Sequence, residues 1–113
     1  MEKMMKYRQL LKQILESHMQ VSVSVPSEGI ERLLITDEEH GHFILMRIGW
    51  NGQKRVEWTT VFARVKDGKI WIEKDLTEAG IATELLEAGV PKEDIVLAFH
   101  APELRQYTEF AAA

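Results

Sequence analysis

Residues 68–100, GKIWIEKDLTEAGIATELLEAGVPKEDIVLAFH, decide how the rest of the chain is read. Ile70 and Ile72 alternate with Trp71, the period-two pattern of a strand with one apolar face. Asp75, Thr77 and Glu78 then stand where a helix should start, with Thr77 as N-cap. Gly80 occupies the third position after Thr77, so no full capping box forms. Ile81, Ala82, Leu85 and Leu86 give an apolar stripe to a helix over 78–88. Gly89 suits the position just past a helix end, and Pro91 cannot continue one. Residues 95–99, IVLAF, are nearly all apolar and read as an interior strand. If the two strands pair in parallel, the unit is a strand–helix–strand crossover.

Upstream, residues 2–19 read as an amphipathic helix. Tyr7, Leu10, Leu11, Ile14, Leu15 and His18 recur at spacings of three and four, with Lys3, Lys6, Lys12 and Glu16 opposite. His18 extends the apolar stripe and reads as a half-buried packing residue. In 20–29, Val21, Val23 and Val25 alternate with serine before Pro26 and Gly29. A connector with some edge pairing fits that stretch. Strands follow at 30–36, 42–50, 54–65 and 69–74. DEEHG, Asn51-Gly52 and Asp67-Gly68 are the turns between them. Connections this short allow only an antiparallel meander. The tail from His100 to Ala113 reads as irregular, pinned to the body by Leu104, Tyr107 and Phe110. The expectation is one α+β domain over 1–113: an N-terminal helix, a four-stranded antiparallel meander, then a helix and a final strand joining the sheet.

Composition narrows the function. The 113 residues hold no cysteine, which excludes disulfides, thiolate metal sites and cysteine nucleophiles. No apolar run reaches the length of a membrane span, and Arg8, Lys12 and Glu16 interrupt any signal-peptide core. A cytoplasmic protein is expected. The net charge of −4 is unevenly spread: residues 51–74 carry six basic against three acidic side chains, and residues 75–113 two against eight. Dedicated nucleic-acid binders rely on basic excess to neutralise phosphates.

Each chemically suggestive cluster has an ordinary structural reading beside it. Glu73, Asp75 and Glu78 with Lys74 resemble the acids of a metal-dependent nuclease. Glu73 and Lys74 are adjacent, however, so a regular strand sends them to opposite faces, and acids also suit a helix start. His40 and His42 flank Gly41 without a third ligand fixed by spacing, which favours a plain polar turn. The serines lack a nucleophile elbow, and the glycines match neither a phosphate loop nor a dinucleotide fingerprint. No catalytic residue, cofactor or metal ligand follows. The better candidates are contact residues. Trp50, Trp58, Phe62, Trp71, His100, Arg105 and Tyr107 are candidates for a protein partner, and Lys54, Arg55, Arg64, Lys66 and Lys69 for DNA. On strand 54–65, Val56, Trp58, Thr60 and Phe62 are expected to share one face, with Val61 and Val65 on the other. Apolar residues on both sides of a single sheet call for a second covering surface, such as another copy of the chain.

Four stretches also carry a resemblance: GW-x-G-x-x-R-V (49–56), DGKIWIEKDLTE (67–78), GIATELLEAGVPKEDIVLAFH (80–100) and P-E-L-R-x-Y-T-x-F-A (102–111). Together with KYRQLLKQIL near the start, they are similar to the XisI family, the fdxN element excision controlling factors of cyanobacteria. The resemblance implies an accessory role in site-specific DNA excision during heterocyst development, beside a site-specific recombinase and with a small XisH-like protein as companion. It carries over no catalytic residue. Family members often place histidines after the Arg-Val step, where this chain has Glu57 and Trp58. The resemblance thus favours a non-enzymatic factor acting through protein partners. The alternatives are a DNA-binding recombination-directionality factor and, third, a metal-dependent nuclease.

Overall fold

The computed structural model describes residues 2–20 and 29–113. The valine–serine alternation at 21–25 and Pro26 lie outside them. Helix α1 spans Glu2–Gln20. Four strands follow: β1 Ile30–Asp37, β2 His42–Asn51, β3 Lys54–Lys66 and β4 Lys69–Asp75. Helix α2 covers Ile81–Glu87, and strand β5 covers Ile95–Leu97. Short 3-10 turns occupy Lys92–Asp94 and Pro102–Tyr107. The sheet order is β1-β2-β3-β4-β5. β1 to β4 form the expected antiparallel meander, and β5 joins β4 in parallel after the α2 crossover.

Both helices pack on one side of this sheet. Tyr7, Leu11 and Leu15 of α1 and Ile81 and Leu85 of α2 meet Phe43, Leu45, Val61, Ala63, Val65, Ile70, Ile72 and Ile95 in a single core. The stripe at spacings of three and four puts α1 there, and strict alternation along β4 sends Ile70 and Ile72 inward. Backbone approach at the β1 start is very close. The Trp50 N–H donates to the Gly29 carbonyl at 3.0 Å, and a Cβ on Gly49 would lie 1.9 Å from that oxygen. Only glycine fits at position 49.

Three expectations are corrected. Helix α2 begins at Ile81, not at residue 78, and Thr77 does not cap it. Asp75 reaches forward instead: one carboxylate oxygen accepts the Thr77 N–H at 2.8 Å and its hydroxyl, and the other accepts the Ile81 N–H at 2.6 Å. Residues 76–80 are thereby tied into a loop, and Gly80, with φ of 90°, keeps it out of the helix. At the far end the sequence reading holds. The Gly89 N–H donates to the Leu86 carbonyl and the Val90 N–H to that of Leu85, a Schellman stop.

The second correction concerns β3. Leu45 faces Val61 while Met46 faces Thr59, so Thr60 is an extra residue. Such a bulge turns two successive side chains to the same side and flips every residue beyond it. Val56 and Trp58 therefore lie on the helix side, and Phe62 lies on the other. A second bulge leaves Glu73 extra between Ile72, opposite Ala63, and Lys74, opposite Phe62.

The third correction is at the C-terminus. The final strand stops at Leu97, where a turn closes through the His100 N–H and the Leu97 carbonyl. β5 is the last strand of the sheet, yet Ile95 and Val96 are fully buried. The returning tail bridges the outer edge: Val96 pairs with Ala111, whose N–H donates to the Ile95 carbonyl at 2.9 Å. Phe110 packs against the core as expected. Leu104 and Tyr107 do not pin the tail; they stand out from it.

Candidate partner interface

The sheet leaves one broad face without a helix. Strand register assigns its occupants, because directly opposed residues share a face. Asp37, His42, Arg64, Trp71 and Val96 form one row across the five strands. Ile35, Ile44, Phe62 and Lys74 form the next, followed by Leu33, Met46 and Thr59. Glu31, Ile48 and Glu57 come after, and Trp50 with Arg55 ends the face. Apolar side chains thus continue across β1, β2 and β3 with charged residues around them. Ile35 is 48% exposed and Trp50 53%. Among the described elements, both helices lie on the opposite side, and Arg105 of the tail reaches this face at Trp71.

A second surface is built by the tail. Arg105 donates from Nη2 to the Ala98 carbonyl and from Nε to that of His100, both at 3.0 Å. Its guanidinium also stands 5.9 Å from the Trp71 ring. Together with the Ala111 bridge and Phe110, these contacts fix the backbone of residues 98–111. The fixed backbone holds large side chains out into solvent. Phe99 is 50%, Leu104 52% and Tyr107 79% exposed, and the Phe99 and His100 rings lie 4.6 Å apart.

The candidate partner residues therefore separate into three groups. Trp50, Phe62 and Trp71 lie on the open sheet face. Trp50 is covered by the Arg55 guanidinium at 5.1 Å, and Trp71 donates from Nε1 to the Lys66 carbonyl with the Lys66 ammonium 4.3 Å from its ring. His100, Arg105 and Tyr107 belong to the tail surface, with Arg105 holding it together. Trp58 stands apart on the helix side, half-buried beneath Arg47. Phe99 and Leu104 were missed by the sequence reading. Their apolar type pointed inward; the short strand and the turn at Leu97–His100 expose Phe99, and Leu104 stands out from the 3-10 turn at Pro102–Tyr107.

The basic candidates also divide. Lys54 and Arg55 stand at the β2–β3 turn. Lys66 lies at the other end of a 13-residue strand, about 40 Å away at some 3.3 Å per residue. Lys66 and Lys69 face each other across the β3–β4 turn. Arg64 beside them is engaged by Glu73, which accepts from Nε at 3.0 Å and from Nη2 at 2.7 Å.

The acids imagined as a nuclease cluster are spread over both faces. Glu73 turns to Arg64 on the open side through its bulge, and the same bulge puts Lys74 there too, contrary to the expected opposition. Asp75 faces Val61 on the helix side and holds the 76–80 loop. His40 and His42 stack at 6.0 Å, and His40 bonds Asp37 through Nδ1 at 2.8 Å. That bond and the His40 N–H hold the Asp37 carboxyl below its ordinary range. Among the described residues, no group of three or more His, Asp and Glu side chains is placed to hold a metal ion. A cleft of about 400 Å³ opens where α1 ends, lined by His18, Arg32, Arg47, Thr60, Thr77 and Glu78. His18 is more than packing there: its Nε2 meets the Glu84 carboxylate at 2.7 Å.

The first turns of α1 are tied down by a polar cluster that the sequence did not reveal. The buried Tyr7 hydroxyl donates to Asp94, and the Lys3 ammonium lies 2.9 Å from the same carboxylate oxygen. Burial, then the Asp94 contact, pushes the Tyr7 pKa up to about 12. Burial works against ionised Asp94, but the bonds from Tyr7 and Lys3 outweigh it and hold its pKa below the ordinary value.

Comparison with known proteins follows the fold closely. A XisI-like protein from Anabaena variabilis ATCC 29413, solved at 1.30 Å, is 40% identical, with a TM-score of 0.89 over 97% of this chain and 99% of its own. The fdxN element excision controlling factor XisI from the same organism, solved at 2.19 Å, is 39% identical, with a TM-score of 0.86 over 98% and 99%. A search of curated proteins gives no match. No helix among the described residues is long and apolar enough to cross a membrane. The model of the XisI protein family matches residues 1–112, and the chain belongs to that family.

Proposed function

We propose that this chain is a non-enzymatic accessory factor in programmed DNA excision, working through protein partners: a XisH-like protein first, with a site-specific recombinase in the same assembly. The likeness to an fdxN element excision controlling factor supports the setting. The observation that carries the mode of action is the tail surface. Phe99, Leu104 and Tyr107 project from a backbone that is already pinned, so little conformational entropy is lost when a partner covers them. Exposed aromatic residues on a rigid support are the usual anchors of protein recognition.

Co-purification tests this reading. The protein should form a stable complex with a XisH-like partner at micromolar concentration. Tyr107→Ala combined with Leu104→Ser should weaken that complex at least tenfold while leaving the thermal midpoint almost unchanged. A protein that stays alone with that partner present removes the main support. The DNA-binding reading draws on Lys66 and Lys69, opposed at the β3–β4 turn. A steep salt-dependent affinity for duplex DNA, reduced by their replacement, would favour it instead.

A further inference from the structure

The open sheet face has a composition that a solvent-facing surface does not need. Leu33, Ile35, Ile44, Met46, Ile48 and Phe62 adjoin one another across β1, β2 and β3, and no described helix covers them. The size fits a stable pair. Four strands at about 4.8 Å spacing, each with about eight residues at 3.3 Å, give a flat footprint of roughly 500 Å². Side-chain relief brings this near the ~800 Å² per partner of an ordinary specific interface.

Charge fixes which partner fits. Asp37, at the β1 end, shares a row with Arg64 and Trp71. The acidic turn holding Asp37 and Glu39 therefore lies at the same end of the sheet as the basic turn holding Lys66 and Lys69. Consider a two-fold axis parallel to the strands, between β2 and β3. It lays β1 of one copy over β4 of the other and β2 over β3. The acidic turn of each copy then meets the basic turn of its mate, while the apolar centres face each other. An axis across the strands would set β1 on β1 with its ends reversed, carrying each acidic turn away from the basic β3–β4 turn of its mate. Face-to-face sheets with strands nearly aligned are a standard packing geometry, and a two-fold contact must be self-complementary.

We propose that a second copy of this chain covers the open sheet face, related by a two-fold axis parallel to the strands. The pairing engages residues other than Phe99, Leu104 and Tyr107, with Arg105 standing at the edge of the same face beside Trp71.

Sedimentation velocity across a concentration series tests the pairing. The wild-type chain should be a dimer at micromolar concentration, and Ile35→Arg, on an exposed edge position, should weaken it at least tenfold. Lys66→Glu with Lys69→Glu in one chain, or Asp37→Lys with Glu39→Lys in another, should each give monomers. Mixing those two variants should restore a dimer, because both turn-to-turn contacts become complementary again. Recovery on mixing also shows that neither variant has lost its fold. A wild type that stays monomeric at 100-fold higher concentration overturns the proposal. So does a dimer indifferent to Ile35→Arg, or one that the mixture does not restore. Neither result touches the tail-surface reading, whose variants leave this face intact.

Discussion

Tyr7, Lys3 and Asp94 show how one buried carboxylate can couple segments that lie 87 residues apart at Tyr7 and Asp94. The Asp94 pKa is depressed in the fold, so its contribution is present above the unfolded value and lost as pH falls through the folded one. Tyr7 acts at the opposite extreme. Its pKa is raised to about 12, so its contribution is complete below about pH 10 and is lost between there and pH 12. Chemical denaturation at stepped pH should show wild-type stability falling in that alkaline window more steeply than in Tyr7→Phe. At neutral pH, Tyr7→Phe should cost about 1–2 kcal/mol, for one hydrogen bond to a charged acceptor. Gly49→Ala is a steric test. Its methyl group would sit 1.9 Å from the Gly29 oxygen, and a loss of about 2–4 kcal/mol is expected in the same assay. No local pattern marked either site. Tyr7 read as one more member of an apolar stripe, and its partner lay between the helix stop and the final strand, where the sequence carries no pattern.

At the scale of elements, local chemistry was legible wherever it acted locally. Asn51-Gly52 and Asp67-Gly68 placed two hairpins, and Gly89 before Pro91 placed a helix stop. Gly89→Ala should cost about 1 kcal/mol, because φ of 98° is strained for alanine and nothing nearby compensates. The start of α2 was misplaced because its first N–H is met from Asp75, six residues back, outside any cap template. Asp75→Ala should therefore lower stability by about 1–3 kcal/mol and leave α2 frayed, as hydrogen exchange at Ile81 and Ala82 would report. The bulge at Thr60 was equally hidden. A strict two-residue alternation put Trp58 and Phe62 together, and a single extra residue separated them. The site suffered more than the fold from this error, since which face a side chain occupies decides what it can touch.

For the whole molecule, the closing contacts come from the tail. Val96 would otherwise present a bare strand edge, an invitation to pair with other chains. Ala111 and Phe110 cover it. Removing residues 108–113 should lower the thermal midpoint and raise light scattering on heating, whereas Tyr107→Ala should do neither. The tail thus divides its residues between holding the sheet closed and displaying side chains outward. The sequence assigns Leu104, Tyr107 and Phe110 alike to the first role and Tyr107 also to partner contact, whereas the fold leaves the first role to Phe110 and turns Leu104 and Tyr107 outward.

The contact between Tyr7 and Asp94 also bears on how the chain is made. A ribosome adds about 5–20 residues per second, so roughly 4–17 s separate the synthesis of the two partners. During that interval the opening turns of α1 have emerged without their final anchor, and their apolar side chains are available to chaperones or to other nascent chains. High sequence separation of native contacts slows folding in general. Here the delay falls on α1, so this domain completes its fold late, once that helix can dock against the turn at Asp94.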